Sequence, residues 1–208
     1  HPNPKDNLYK HVLSMPIFEG STVLHGGGGI VPTRRPLDSL VGNGIVLVGD
    51  AGCQVNPIHG GGIGPSMMGG AIAGRAIAEA LEKGESTAES LWPVNVRFMK
   101  NYGAKQAGLD IFRMFLQNVT NDDLNYGMKY RIIKEEDILK AILGEEIRLN
   151  VTDATRRVFK GLGRLTFLKA LYSMAKTVKK AKTLYNKYPN SPRELQKWKL
   201  QVEEIFST

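Results

Sequence analysis

Cysteine, histidine and long apolar runs are all scarce in this chain, and each shortage removes a class of protein. Cys53 stands alone, so an intramolecular disulfide and the stapled secreted scaffold are excluded. One cysteine and a few scattered histidines give no cluster with metal-ligand spacing. No apolar stretch approaches the roughly 20 residues that a membrane-spanning helix needs. The N-terminus shows no signal-peptide pattern. The expectation is a reducing, cytoplasmic location. Internal repeats and low-complexity tracts are lacking too. An ordinary apolar content of 42% with 23% charged residues excludes disorder throughout, and 208 residues suffice for one good core, or a modest one with a helical appendage.

Charge is unevenly placed, with the basic excess lying in the second part of the chain. Before Lys83 the basic residues Lys5, Lys10, Arg34, Arg35 and Arg75 are slightly outnumbered by acids. The net charge of +8 therefore arises beyond that point. It is densest over residues 156–199, where Glu194 is the only acid. Such asymmetry points to an acidic partner surface, either phospholipid headgroups or nucleic acid, or else to a solvated basic face.

Residues 43–81 organise the chain. Ile45, Val46, Leu47 and Val48 form an unbroken aliphatic run, which reads as a buried strand. Gly49 and Asp50 end it, Pro57 and the glycines Gly60, Gly61, Gly62 and Gly64 carry a loop, and a helix follows over residues 66–81. Strand, glycine-rich loop and helix bring backbone N–H groups at a helix N-terminus toward an anion. A dinucleotide fingerprint would place its glycines directly after the strand, and these lie about ten residues later. A Walker lysine is also lacking.

Asp50 closes a strand, a position suited to a ligand, although it could equally cap the next turn. The glycines allow close backbone approach. His59 is a candidate proton donor, since imidazole is the side chain suited to proton transfer near neutral pH, or else a turn residue. Cys53 lies near a helix N-terminus, where it is either a reactive thiol or a small buried one. Arg34 and Arg35 stand between Pro32 and Pro36 on stiff backbone, available to a ligand or to surface acids.

Gly49-Asp50-Ala51, Asn56-Pro57 and Gly60-Gly61-Gly62-Ile63, preceded by the run from Gly29 through Arg34 and Arg35 to Leu37, resemble the second flavin motif of FAD-dependent oxidoreductases of the aromatic-hydroxylase type. Within that superfamily the chain looks most like the geranylgeranyl reductase family. Gly52 stands where those reductases usually have a second alanine. The resemblance covers residues 20–82 strongly and the remainder weakly. It implies an FAD site in which Asp50 accepts a hydrogen bond from a ribityl hydroxyl. Gly49, Pro57, Gly60, Gly61, Gly62, Ile63 and Arg34 would line it. It also implies an isoprenoid lipid substrate whose C=C bonds take hydride from flavin N5, in archaeal membrane lipid biosynthesis; the proton such a reduction needs is what His59 is a candidate to give. A flavin monooxygenase shares these motifs, and a non-catalytic basic membrane-binding module is the alternative from another class.

The ADP-binding Gly-x-Gly-x-x-Gly turn and the substrate sheet of such enzymes are not found. The expectation is thus α/β: the C-terminal strand–loop–helix portion of an FAD-binding domain (residues 1–82), then a basic, mostly α-helical C-terminal domain (residues 83–208). The missing N-terminal part of the same enzyme would hold ADP, so this fragment alone should be inactive and hold FAD weakly.

The remaining elements are read from periodicity. Short strands are expected over residues 12–18 and 22–24. Arg75 and Glu79 should pair at i and i+4. Helical spacing over residues 92–115 places Phe98, Tyr102, Leu109, Phe112, Met114 and Phe115 in a core or prenyl tunnel. Asn121, Asp122 and Asp123 suggest a cap or turn, residues 135–143 a helix, and residues 193–206 a last helix. Over residues 154–188, Val158, Leu162, Leu165, Leu168, Tyr172 and Ala175 recur on one face among basic residues. That face either docks on an anionic membrane or packs on its own domain. Nucleic acid is the poorer partner, because aromatic–basic interleaving is lacking.

Overall fold

The computed structural model describes residues 3–130, 132 and 164–207. The helix expected over residues 135–143, with Val158 and Leu162, lies outside them. The chain divides into two compact units, His1–Ile30 and Val31–Thr208.

In the first unit, helix α1 (Pro4–Asn7) starts at Asn3, whose side chain accepts the Lys5 N–H, and it runs on as a wider helical turn over Leu8–Val12. A 3-10 turn, Pro16–Phe18, follows. The strands expected over residues 12–18 and 22–24 are not formed. Pro16 lacks the N–H that a ladder needs and instead opens that turn.

The second unit is mostly helical with one two-stranded sheet. Strand β1 (Val41–Gly42) pairs antiparallel with β2 (Ile45–Val46), Val41 opposite Val46. The buried strand expected over residues 45–48 is corrected: only two residues pair, and Ile45 and Val48 are exposed. No further strand lies beside the pair among the described residues, so its outer face meets solvent.

A 3-10 turn, Gly49–Gly52, leads by a loop to helix α2 (Ile63–Leu81), three residues longer at its start than periodicity suggested. Gly84, at φ 69°, closes it beyond Lys83. Glu79 pairs with Arg97 at 2.8 Å and not with Arg75. Arg97 belongs to α3 (Pro93–Phe98), which passes through a wider turn, Met99–Gly103, into α4 (Ala104–Asn118). Thr120 and Asp123 form a reciprocal capping box on α5 (Asn121–Lys129). Helix α6 (Leu165–Asn186) packs along α4, and α7 (Leu195–Phe206) ends the unit.

Two apolar clusters hold these helices. In the first, Leu40, Ala73 and Ala76 meet Trp92, Phe98, Tyr102, Tyr185 and Trp198, so one core runs through both sides of residue 82. The Trp92 and Trp198 ring N–H groups donate to the carbonyls of Pro189 and Leu184, and Tyr188 donates to Asp38, so the rings stay buried without stranding a donor. In the second, Leu109, Ile111 and Phe112 of α4 meet Leu171, Met174 and Ala181 of α6. Gly108 permits that approach, since a Cβ there would lie 3.2 Å from Val178.

The expected apolar face of α6 is corrected. The helix buries Phe167, Leu171, Met174, Ala181 and Tyr185; of the expected face Leu168 packs half-buried against the second cluster, whereas Leu165 and Tyr172 are exposed. Two apolar stripes of equal spacing coexist on this helix, and the one with the larger Phe, Met and Tyr side chains fills the cleft against α4.

Candidate flavin-facing site

Four short segments meet around the N-terminus of α2. The Gly49–Gly52 turn comes first. Gly49 takes φ 64°, a left-handed value open to glycine without strain, and its N–H donates to Gln54 Oε1 at 2.8 Å. The turn ends at Cys53, which holds φ 54° and ψ 35° although it carries a side chain. Cys53 and Gln54 donate their N–H groups back to the Asp50 and Gly49 carbonyls, at 3.0 and 2.9 Å.

The second segment is the loop over residues 56–62. Asn56 Oδ1 accepts the Ile58 N–H, and His59 Nδ1 accepts the Gly61 N–H at 3.0 Å. His59 is therefore first a turn residue; in its neutral ring, that bond leaves the proton on Nε2. The third segment is α2 itself. Gly62, its cap, supplies no side-chain acceptor to the first-turn N–H groups. A Cβ on Gly62 would lie 3.1 Å from Val55 and 3.4 Å from Asp50 Oδ1, so a side chain would fill the space beside the Asp50 carboxylate. The fourth segment, residues 31–35, lies over Gly60, where an added Cβ would sit 3.7 Å from Val31.

The structure brings together Gly49, Asp50, Gly60, Gly62 and Ile63 around one helix end, with Pro57 buried in the loop between them. It also separates the two arginines. Arg35 forms an ion pair with Asp38, donates to Tyr185 at 3.3 Å and lies over the Phe206 ring. Its guanidinium is held above its already high pKa, with burial opposing and Tyr185 and Asp38 favouring the charge. Arg34 is exposed and makes no ion pair or side-chain hydrogen bond among the described residues. Asp50 is likewise exposed and unpaired there. A free carboxylate, a free guanidinium and unfilled helix N–H groups form a donor–acceptor set suited to a polar, partly anionic ligand. Those groups and the cradle that a Gly62 Cβ would fill fit the ribityl and ring-carbonyl chemistry of a flavin.

Cys53 is buried, and burial pushes its thiol upward while Arg34 and Arg35 pull the other way. It is held as a thiol, and the reactive-thiolate alternative loses.

The residues that sequence reasoning missed lie on α3 and α4. Asn95, fully buried, accepts the Leu40 N–H at 2.7 Å. Gln106 Nε2 donates to the carbonyls of Arg34, at 2.7 Å, and Cys53. Asp110 accepts the Arg35 N–H at 2.8 Å. The one available signal was a polar residue on the apolar face of a helix, which by itself names no partner.

No family model matches the chain. It is 48% identical over 201 residues to a digeranylgeranylglycerophospholipid reductase of Sulfolobus acidocaldarius, covering 96% of this chain and 44% of that protein. Proteins of the same name from Methanopyrus kandleri and Methanothrix thermoacetophila are each 37% identical, over 57% and 59% of the chain and 30% and 32% of their own lengths. The chain spans less than half the length of these curated relatives.

Proposed function

We propose, from the premise that the chain belongs to the geranylgeranyl reductase family over the length it spans, that it is the part of an FAD-dependent reductase that faces the flavin. The substrate class is a geranylgeranyl lipid whose C=C bonds are reduced. A bound reduced flavin would supply the hydride. Asp50 would accept a ribityl hydroxyl, and the N–H groups at the start of α2 would face the ring carbonyls. Arg34 would balance negative charge on the cofactor or lipid headgroup. His59 Nε2 is the candidate proton source. The ADP half would be held by a segment outside this chain, so the chain alone should bind FAD weakly. The observation that carries the reading is the Asp50 carboxylate, unpaired among the described residues, beside the Gly62 cradle.

The test is FAD titration of the protein at the full length of its relatives, followed by assay with reduced flavin and a geranylgeranyl phospholipid. Chain saturation supports the reading. Rapid NAD(P)H oxidation with oxygen uptake and no saturation would favour the monooxygenase instead.

Contact with an anionic membrane is the second reading. The outer face of α6 presents Lys169, Lys176, Lys179 and Lys180 with exposed Leu165 and Tyr172. Salt-sensitive sedimentation with phosphatidylglycerol vesicles, and none with neutral ones, is the expected result. Retention by oligonucleotides alone would reverse it.

A further inference from the structure

We infer that Gln106 and Asp110, one turn apart on α4, are positioning residues that lock the Arg34 loop to the Cys53 turn. They thereby hold the backbone that carries Arg34 beside the turn that carries Asp50. Only the consequence for the cofactor rests on the flavin reading.

Residues 31–37 and 49–54 share a single direct backbone bond among those described. The Leu37 N–H donates to the Gly52 carbonyl at 3.4 Å, the long end of the hydrogen-bond range. The junction is otherwise made by α4. The Gln106 amide has two N–H donors and sends them into two loops, one to the Arg34 carbonyl and one to the Cys53 carbonyl. Turning the amide over would set its oxygen against both carbonyls, so its orientation follows from the bonds. Its oxygen has no partner among the described residues. A wholly buried polar atom left unsatisfied is costly, and the chain retains Gln106 there with both donors used.

Asp110, 3% exposed, completes the clasp. One carboxylate oxygen accepts the Arg35 N–H, and the other accepts the Arg113 side chain at 2.9 Å. Adjacent peptide groups, the Arg34 carbonyl and the Arg35 N–H, are thus held from one helix. The peptide plane between these residues cannot rotate without breaking both bonds. Losing both bonds would release the backbone that carries Arg34 from α4. Cys53, held at its left-handed φ, is anchored through its carbonyl by the same amide.

Cys53 is the single cysteine, so its labelling by a thiol reagent reports opening of this junction without any cofactor. Q106M keeps side-chain length and removes both donors. D110N keeps an acceptor for the Arg35 N–H. The control is L171V, which loosens the α4–α6 core and removes neither bond to the loop carbonyls. In the chain as it stands, Q106M should label roughly tenfold faster than wild type, with D110N and L171V within about twofold, each compared at equal distance below its own Tm. In the protein at the full length of its relatives, Q106M should bind FAD roughly tenfold more weakly, with turnover restored by excess FAD. Wild-type labelling of Q106M, or equal acceleration in L171V, overturns the proposal. Faster labelling with unchanged FAD affinity overturns it as well. If wild type binds no FAD, selective labelling of Q106M still upholds the clasp and the flavin reading falls alone.

Discussion

The turn-and-loop side of the site and its α4 side use polar groups in opposite ways. Around Gly49, Gly60 and Gly62 the groups point outward, and Asp50 and Arg34 have no partner among the described residues. On α4 the corresponding groups point inward: Asp110 accepts from Arg35 and Arg113, and both Gln106 donors reach backbone carbonyls. The first surface is free to bind, and the second keeps the first in place. Chemical type alone does not separate the two roles; what separates them is whether the group already has a partner.

The largest effect that would break this comparison lies at Asp50. D50A should weaken FAD binding about 10- to 100-fold, since a charge-assisted hydrogen bond contributes ~1.5–3 kcal/mol. Its Tm should stay close to wild type, because the residue is exposed and unpaired. Titration by flavin fluorescence alongside a thermal melt measures both, and a melt that falls while affinity holds would reverse the assignment.

The neighbouring arginines sharpen the contrast. R35A removes the contacts to Asp38, Tyr185 and Phe206 and should cost about 1–3 kcal/mol in urea unfolding. R34A should leave unfolding within ~0.5 kcal/mol of wild type and lower FAD affinity. Equal loss of stability in both variants would contradict the partition.

Helix α2 offers a smaller, two-signed effect. A Cβ on Gly69 would fall 2.0 Å from Gln54 Oε1, the atom that accepts the Gly49 N–H, and Gln54 is wholly buried. G69A should destabilise by ~1–3 kcal/mol. Nothing lies within 4 Å of a Cβ on Gly74, so G74A should gain up to ~1 kcal/mol from helix propensity. Paired thermal melts decide whether the glycine at 69 serves the turn.

The smallest effect is at high pH. Burial pushes the Tyr102 and Tyr185 hydroxyls up to about 12, against about 10 for an unfolded tyrosine. Raised folded values mean that this stability is present below pH ~10 and fades as pH rises toward about 12. Absorbance at 295 nm should show these two tyrosines ionising late in the native chain, and near pH 10 in concentrated urea.

Much of the site was legible in the sequence because it is written in backbone geometry. Gly49 marks the left-handed turn, and the glycines after Pro57 mark a loop ahead of a helix, although the helix begins at Ile63 and not at the expected Ser66. The strand was misread because an aliphatic run reports burial only when other strands lie beside it, and residues 45–48 have just one partner strand. The α6 face was misread in part because Leu165 and Tyr172 repeat with helical spacing just as Phe167 and Leu171 do. Periodicity identifies a helix with two apolar stripes but does not say which one finds a neighbour.

By itself, then, the sequence determined the turn at Gly49 and Asp50, the glycine loop and a helix after it, because conformations of a few consecutive residues follow from their own steric limits. Tertiary structure alone decided that Arg35 is committed while Arg34 has no ion pair or side-chain hydrogen bond among the described residues, and that Gln106 and Asp110 bond to the loop. Those outcomes depend on pairs such as Gln106 with Arg34 and Arg35 with Tyr185, separated by 72 and 150 positions. No local propensity connects such residues; only the packing of α4 and α6 brings them within hydrogen-bonding distance.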